Sequence, residues 1–348
     1  MRNLPIMNFR TLSSGSSQFV LRHRTAAESS AQGGEPAAGK RRLPKRLNKR
    51  PIFVVSFAYG GSNILLNLLR SHPDVCSPRG ELNEVFKGKP TERRATRTAK
   101  FMRYLPCILI ERADIFRVQS WAEPRPFTPL TQHLIDRIFY GEKFRARHVS
   151  QNLYKTEHVL RTDAEIASSR LMCKNLDGLI FVSRELARMY PDATFLGLIR
   201  NGLAVCEGHV RRGYVLEEIA RSYELGCQRM IEDSTTIPNF HLIRYEDMIA
   251  RPREMLETIY GLADLPIDKV EKVRLQTKRI IQPDGSHAIV HNTEWKQVLW
   301  YPLDEFHKHF VRDANENQIK RLTPAQRDAV IAHCERSLRH FGYLDSLA

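Results

Sequence analysis

The chain has 348 residues, of which 42% are hydrophobic and 27% are charged, a composition typical of a globular protein with a substantial core. The formal net charge is +15, but the first 50 residues carry +9 of it and the remaining 298 carry only +6. This mildly basic body favours an anionic ligand in a cleft over a broad nucleic-acid-binding face. No apolar run is long enough to predict a membrane-spanning helix.

Residues 1–48 are rich in Ser, Arg, Gly and Ala and lack a periodic apolar pattern, which predicts a disordered basic tail. Two other interpretations of this tail stay open. Its Arg- and Ser-rich, acid-poor start is typical of an organelle transit peptide, and its basic run at residues 40–50 suits an anionic surface or nucleic acid. Residues 49–348 are predicted to form a single domain.

The six cysteines are widely scattered and show neither a zinc-ligand spacing nor a disulfide framework. This pattern predicts a protein of a reducing compartment and gives no sign of a zinc site. We therefore expect a cytoplasmic location, with organelle targeting through the N-terminal tail as the alternative.

A short β-rich run at residues 52–57 is followed by Gly60 and Gly61, and then by apolar residues at helical spacing. The order predicts a strand, a tight loop and a helix. The first turn of a helix has unpaired N–H groups and a positive dipole end, and the glycines let the backbone approach an anion. Ser62 and Asn63 add side-chain donors or cap the helix. A packed turn without a ligand is the open alternative.

The later part of the chain alternates between predicted strands and helices. Strands are predicted at residues 194–199 and 240–243, and helices at 179–189, 215–232, 252–262 and 324–341. Arg200 directly follows the first of these strands. Ligands of open α/β sheets gather at the carboxyl ends of strands, so Arg200 and the glycine loop are predicted to share one crevice. A surface position in a helix-initiating turn is the alternative for Arg200. Residues 276–301 are predicted to be a long loop.

Several segments, taken in order, resemble the sulfotransferases that use 3′-phosphoadenosine 5′-phosphosulfate (PAPS), in particular the bacterial and tyrosylprotein-type branches. The resemblance spans residues 51–343. Its segments are residues 53–75, the Arg-Gly-Glu-Leu-Asn run at 79–83, residues 190–200, residues 244–252 and the Trp-Lys pair at 295–296. The resemblance implies an α/β fold with a central, mostly parallel sheet flanked by helices, in the P-loop-like sulfotransferase architecture.

The resemblance also implies in-line transfer of a sulfuryl group from PAPS to a hydroxyl or amine, without a metal. It implies that Glu81 is the general base and that Lys174 stabilises the leaving group. Arg200 is implied to pair with the 3′-phosphate, for which its planar guanidinium is suited. The remaining implied nucleotide-binding positions are Tyr59, Gly60, Gly61, Ser62, Asn63, Gly208, Trp295 and Lys296.

Two positions depart from the family's pattern. Tyr59 stands where the family usually has Lys or Arg, and Gly208 stands where it often has a Ser that contacts the 3′-phosphate. The cations considered as replacements for the missing charge are Lys174, Arg211, Arg212 and Lys296. A member with reduced or no activity stays open, as does a non-catalytic nucleotide- or nucleic-acid-binding protein. A P-loop kinase is the other alternative, although it would need a Lys where Gly61 stands. The acceptor is expected to contact residues 87–169.

Overall fold

The computed structural model describes residues 50–78, 81–82, 85, 93–95, 97–99, 102, 121, 123–145, 162–277, 279–281, 287–289, 297–310 and 312–344. The predicted basic tail at residues 1–48 lies outside the described residues. Trp295 and Lys296, both predicted to bind nucleotide, also lie outside them.

A five-stranded parallel sheet forms the centre of the described chain. Its strands are β1 (Ile52–Ser56), β2 (Val75–Cys76), β3 (Arg170–Leu176), β4 (Thr194–Ile199) and β5 (Phe240–Arg244), in the spatial order β2-β3-β1-β4-β5. All residues of β1, β3 and β4 are buried, as expected for parallel strands covered on both faces. The loops that follow these three strands therefore meet at one edge of the sheet.

Side chains of β1 alternate between two apolar clusters, one on each face of the sheet. Phe53 and Val55 point to the first cluster. Ile52 and Val54 point to the second, where they pack with the leucines of helix α1 (Ser62–Arg70). Helix α1 thus lies on the sheet because its apolar stripe covers the β1 face that carries Val54.

The other described α-helices are α2 (Pro129–Arg145), α3 (Asp163–Ser168), α4 (Ser183–Met189), α5 (Gly202–Val210), α6 (Leu216–Thr236), α7 (Tyr245–Ala250), α8 (Pro252–Leu262), α9 (Ala314–Ile319) and α10 (Pro324–His340). Helix α10 begins with a capping box between Thr323 and Gln326, followed by a proline at its first position. The helix predicted at 179–189 divides into a 3₁₀ turn, Asp177–Val182, and α4. The predicted α/β fold with a central parallel sheet flanked by helices is confirmed.

The prediction of a long loop at residues 276–301 is wrong for the residues that are described there. Strand β6 (Lys272–Thr277) pairs antiparallel with β9 (Gln297–Pro302), and β7 (Arg279–Ile281) pairs antiparallel with β8 (His287–Ile289). Strand β6 alternates polar and apolar residues from Lys272 to Gln276, whereas β7, β8 and β9 do not alternate, so the pairing of these strands depends on tertiary contact as well as on local pattern. Nowhere in the described chain is a helix both long and apolar enough to cross a membrane.

Candidate functional site

The loop between β1 and α1 is a tight turn with two residues in the left-handed region. The Gly60 N–H donates to the Phe57 carbonyl at 3.0 Å, and φ is 62° at Tyr59 and 83° at Gly61. A Cβ added at Gly61 would lie 2.2 Å from a ring carbon of Tyr245. Glycine is required at position 61 because of both its backbone conformation and this close approach.

The N-terminal end of α1 presents unpaired donors at this loop. The helix begins after Gly61 without a side-chain cap, and its first hydrogen bond across the loop runs from the Ile64 N–H to the Gly61 carbonyl. Within the described chain, the N–H groups of Ser62 and Asn63 have no acceptor. With the positive end of the helix dipole, these groups form a site suited to an anion.

Lys174 joins this helix end to Glu81. It lies on β3 opposite Val54 in register, so its side chain extends on the α1 face of the sheet. Its Nζ donates to Asn63 Oδ1 at 3.1 Å and to Glu81 Oε1 at 2.9 Å. The Lys174 side chain is 9% exposed and the Glu81 side chain 33% exposed, so the pair lies between the interior and solvent. A cation and a carboxylate therefore meet at the start of α1.

Asp177 is a residue at this site that the sequence analysis missed. It follows β3 with a φ of 53°, and its Oδ1 accepts a hydrogen bond from the Ala58 N–H at 2.8 Å. The pKa of Asp177 is raised to about 7. Burial is the main cause and Glu81 adds to it, whereas the Ala58 hydrogen bond and Lys174 oppose them. The Asp-Gly pair just after the Lys174 strand is the sequence signal that marks this position.

Arg200 lies buried at the carboxyl end of β4, and its donors are paired with protein oxygens. Nη1 donates to the Tyr59 carbonyl at 2.8 Å, Nε donates to Asn315 Oδ1 at 2.7 Å, and Nη2 donates to Gln318 Oε1. The guanidinium carbon lies 4.3 Å from the centre of the Tyr245 ring, a cation–π contact. Burial lowers the pKa of Arg200, an effect that Tyr245 and Glu246 oppose.

Glu246 connects helix α9, which contacts Arg200, to the backbone directly after Arg200. Its Oε1 accepts hydrogen bonds from the Asn201 N–H at 3.0 Å and from Asn315 Nδ2 at 2.5 Å, and its Oε2 accepts one from the Tyr343 hydroxyl at 2.6 Å. The Glu246 carboxylate of α7 thus holds Asn315, which contacts Arg200, in place.

Tyr59 packs directly against Gly208, the other position that departs from the family's pattern. A Cβ added at Gly208 would lie 2.7 Å from the Tyr59 Cβ. The Arg212 guanidinium carbon lies 4.1 Å from the centre of the Tyr59 ring, and the His209 ring meets that ring edge-on at 4.7 Å. Tyr59 is therefore enclosed by residues of α5 and of the turn that follows it.

The structure brings most of the sequence-predicted site residues together. The glycine loop touches Arg200 through the Tyr59 carbonyl, and Asn63 touches Lys174, which touches Glu81. The loop and Arg200, predicted to share one crevice, are thus in contact at the carboxyl edge of β1, β3 and β4. The described residues include no group of three or more His, Cys, Asp or Glu that could hold a metal ion.

The parallel sheet flanked by helices places the chain in the α/β class of proteins. Its central strand leads into a loop and a helix end that are suited to an anion. Within that class, residues 51–269 match the profile described as the Sulfotransferase family, and the chain belongs to this family. The family suggested by the sequence motifs is thereby confirmed. Among curated proteins, no sequence matches the chain significantly.

Solved structures similar to the chain include the sulfotransferase domain from the curacin biosynthetic pathway, at 15% identity and a TM-score of 0.44, covering 84% of this chain and 98% of that one. The sulfotransferase domain of the Synechococcus PCC 7002 olefin synthase has 14% identity and a TM-score of 0.42, covering 85% and 98%. Mouse sulfotransferase SULT7A1, solved in complex with PAP, has 13% identity and a TM-score of 0.37, covering 83% and 85%.

Proposed function

We propose that this protein transfers the sulfuryl group of PAPS to a hydroxyl or amine acceptor. The observation that carries the proposal is the position of Lys174, whose Nζ contacts both Asn63 at the start of α1 and Glu81. A cation, an anion-binding helix end and a carboxylate are the groups that such a transfer needs in one place. Membership in the sulfotransferase family supports this class of reaction.

The residues present suit the two anionic ends of PAPS. The Ser62 and Asn63 N–H groups, with no acceptor within the described chain, suit the 5′-phosphosulfate. At the other end, the Arg200 guanidinium is surrounded by acceptor oxygens, two of which belong to the side-chain amides of Asn315 and Gln318. Phosphate oxygens would replace these amide oxygens, because a guanidinium forms stronger hydrogen bonds with an anion than with a neutral amide.

PAPS supplies an activated sulfuryl group attached to a phosphate leaving group. The bond from the acceptor oxygen or nitrogen to sulfur forms as the bond from sulfur to the bridging oxygen breaks. Lys174 stabilises the negative charge that develops on that bridging oxygen. Glu81 accepts the proton of the acceptor. Its side chain is one-third exposed, which gives an acceptor access from solvent.

Ligand-induced stabilisation tests the nucleotide. We expect adenosine 3′,5′-bisphosphate (3′,5′-ADP) to raise the melting temperature, because a ligand at 100 times its Kd adds about 2.7 kcal/mol to folding stability. ATP and a short single-stranded RNA, at matched concentrations, are expected to give smaller shifts. Stabilisation by ATP or RNA but not by 3′,5′-ADP would favour a kinase or a nucleic-acid-binding protein and overturn the proposal.

The variant Glu81→Ala tests the base. It is expected to keep the stabilisation by 3′,5′-ADP and to lose transfer of label from radioactive PAPS to the acceptors of a cell extract. Glu254→Ala removes an exposed carboxylate of α8 and serves as the matched control. Normal transfer by Glu81→Ala would show that the base assignment is wrong while leaving the nucleotide assignment intact.

A further inference from the structure

Two arginines contact Tyr59, one at its backbone carbonyl and the other at its ring. Arg200 Nη1 donates to its carbonyl oxygen at 2.8 Å, whereas the Arg212 guanidinium lies over its ring at 4.1 Å. The Tyr59 backbone turns through a φ of 62° between Ala58 and Gly60. Tyr59 therefore brings the Arg212 side chain to the glycine loop, where Arg200 also arrives.

The contact between Tyr59 and Arg212 depends on glycine at position 208. The Cβ of any larger residue there would lie 2.7 Å from the Tyr59 Cβ and 2.9 Å from its Cγ, closer than such atoms approach in proteins. The Gly208 carbonyl also accepts a hydrogen bond from Arg212 Nη1 at 3.1 Å. Tyr59, Gly208 and Arg212 thus form one packed unit, in which the two departures from the family's pattern fit each other.

Arg212 differs from Arg200 in having guanidinium nitrogens without a protein acceptor among the described residues. In the described part of the chain, all three Arg200 guanidinium nitrogens have a protein acceptor, but only Nη1 of Arg212 has one. Arg212 is exposed and has no carboxylate partner among the described residues. Burial lowers the pKa of the adjacent His209, so its ring adds no positive charge beside Tyr59 at pH 7.

We infer that Arg212, held on the ring of Tyr59, is a binding residue for the 3′-phosphate of the donor nucleotide. It takes the place of the hydroxyl absent from position 208 as a contact to that phosphate. The 3′-phosphate is the anion concerned because Tyr59 contacts Arg200, at the end of β4, and Gly208, on the helix that follows β4. Lys174 instead lies on β3, on the other side of β1. This inference rests on the proposed function and adds a residue to the same site.

Calorimetric titration with 3′,5′-ADP and with 5′-AMP tests the inference, since the two nucleotides differ only in the 3′-phosphate. Arg212→Ala is expected to weaken 3′,5′-ADP binding about 10- to 100-fold, the range for a charge-assisted hydrogen bond. Binding of 5′-AMP should change less than about 3-fold, because it lacks the group that Arg212 contacts. Arg212→Gln is measured beside it so that packing on Tyr59 is partly retained.

Arg253→Ala is the matched control, because it removes the same charge from an exposed position on α8. The Arg253 Nε lies 3.3 Å from Glu257 on the same helix. It should leave the affinities for both nucleotides within about 3-fold of the native protein. A purely structural role for Arg212 would weaken both nucleotides alike, and this result would overturn the inference, as would an unchanged affinity for 3′,5′-ADP.

The packed unit is tested by a double-mutant cycle. Tyr59→Ala is expected to weaken 3′,5′-ADP binding, and its effect should not add to that of Arg212→Ala, because the ring acts by holding the guanidinium. Tyr59→Phe keeps the ring and should keep the affinity. Fully additive effects would overturn the role of Tyr59 as support. If the native protein binds no 3′,5′-ADP, the proposed function fails together with this inference; if it binds and Arg212→Ala binds equally well, only this inference fails.

Discussion

The two ends of the site differ in how their hydrogen-bond donors are used. At the start of α1, the Ser62 and Asn63 N–H groups have no acceptor in the described chain. At the carboxyl end of β4, the Arg200 guanidinium is buried and all three of its nitrogens are paired. In the proposed function, the first end therefore receives an anion directly, whereas the second exchanges protein oxygens for ligand oxygens. The contacts at α1 then form without loss of a protein hydrogen bond, and those at Arg200 select for a group that binds the guanidinium better than the amides do.

The largest expected effect concerns the start of α1, the open end of the site, where helix N–H groups have no acceptor in the described chain. Lys174→Ala should lower the rate of sulfuryl transfer by about 10²- to 10³-fold, the usual cost of removing one group that stabilises charge in the transition state. Affinity for 3′,5′-ADP should change much less, because that product lacks the sulfuryl group. Single-turnover transfer from radioactive PAPS measures the effect. Lys269→Ala, which removes a lysine paired with Asp74 elsewhere on the surface, is the control.

If Lys174→Ala instead weakened 3′,5′-ADP binding and transfer by the same factor, Lys174 would be a ground-state contact. The contrast between the two ends would then lose its mechanistic meaning, since both would serve binding alone.

The second effect concerns the shape of the open end. Gly61→Ala forces a side chain into a φ of 83° and against the Tyr245 ring, 2.2 Å away. We expect a loss of about 2 kcal/mol or more in stability, and at least a 10-fold loss in affinity for 3′,5′-ADP, because the loop must move.

Gly342→Ala separates these two causes. This glycine also has a positive φ, 70°, but an added Cβ would meet no atom within 4 Å. It should cost only the backbone strain, about 1 kcal/mol, and leave nucleotide binding unchanged. Equal melting temperatures for the two variants would mean that the Tyr245 contact adds no constraint.

A smaller effect is expected around Arg200, the closed end of the site, where the guanidinium nitrogens are already paired. The double variant Asn315→Ala, Gln318→Ala removes two oxygens that a phosphate has to displace from Arg200. Affinity for 3′,5′-ADP should rise about 3- to 10-fold, the exchange of one or two neutral hydrogen bonds. Asn317→Ala, on the same helix but paired with Asp313, is the control. A fall in affinity would show that these amides support the nucleotide rather than compete with it.

The last expected effect concerns the pH dependence of stability. Asp177 has its pKa raised to about 7 mainly by burial, so the folded protein holds a proton that the unfolded chain releases above pH 4. Its contribution to stability therefore falls as pH rises from about 4 to 7, by at most about 1.4 kcal/mol per pH unit. Asp177→Asn keeps an oxygen acceptor for the Ala58 N–H and removes the titration.

The melting temperature of Asp177→Asn should therefore rise relative to the native protein between pH 5 and pH 8. A difference that is constant over this range would mean that Asp177 titrates at the same pH in the folded and unfolded chains. Buffers of low ionization enthalpy keep the pH constant during heating.

Local pattern was enough to predict the open end of the site. The apolar run before Gly60, the glycine pair and the helical spacing after it lie within about twenty residues, so periodicity and turn chemistry specify them. The position of Arg200 at a strand end followed in the same way from its neighbours in the chain. The Trp295 and Lys296 prediction stays a prediction, because both residues lie outside the described ones.

The partners of these residues were decided by tertiary structure alone. Asn315 and Gln318 lie 115 and 118 positions from Arg200, and Ala58 lies 119 positions from Asp177. Which residues meet depends on the strand order β2-β3-β1-β4-β5, which no local periodicity encodes. The amino-acid sequence by itself thus determined the position of the glycine turn and of the helix end that follows it, because both are local. Only the folded chain decided that Arg200 is already occupied and that Tyr59 carries Arg212, because both depend on contacts between distant segments.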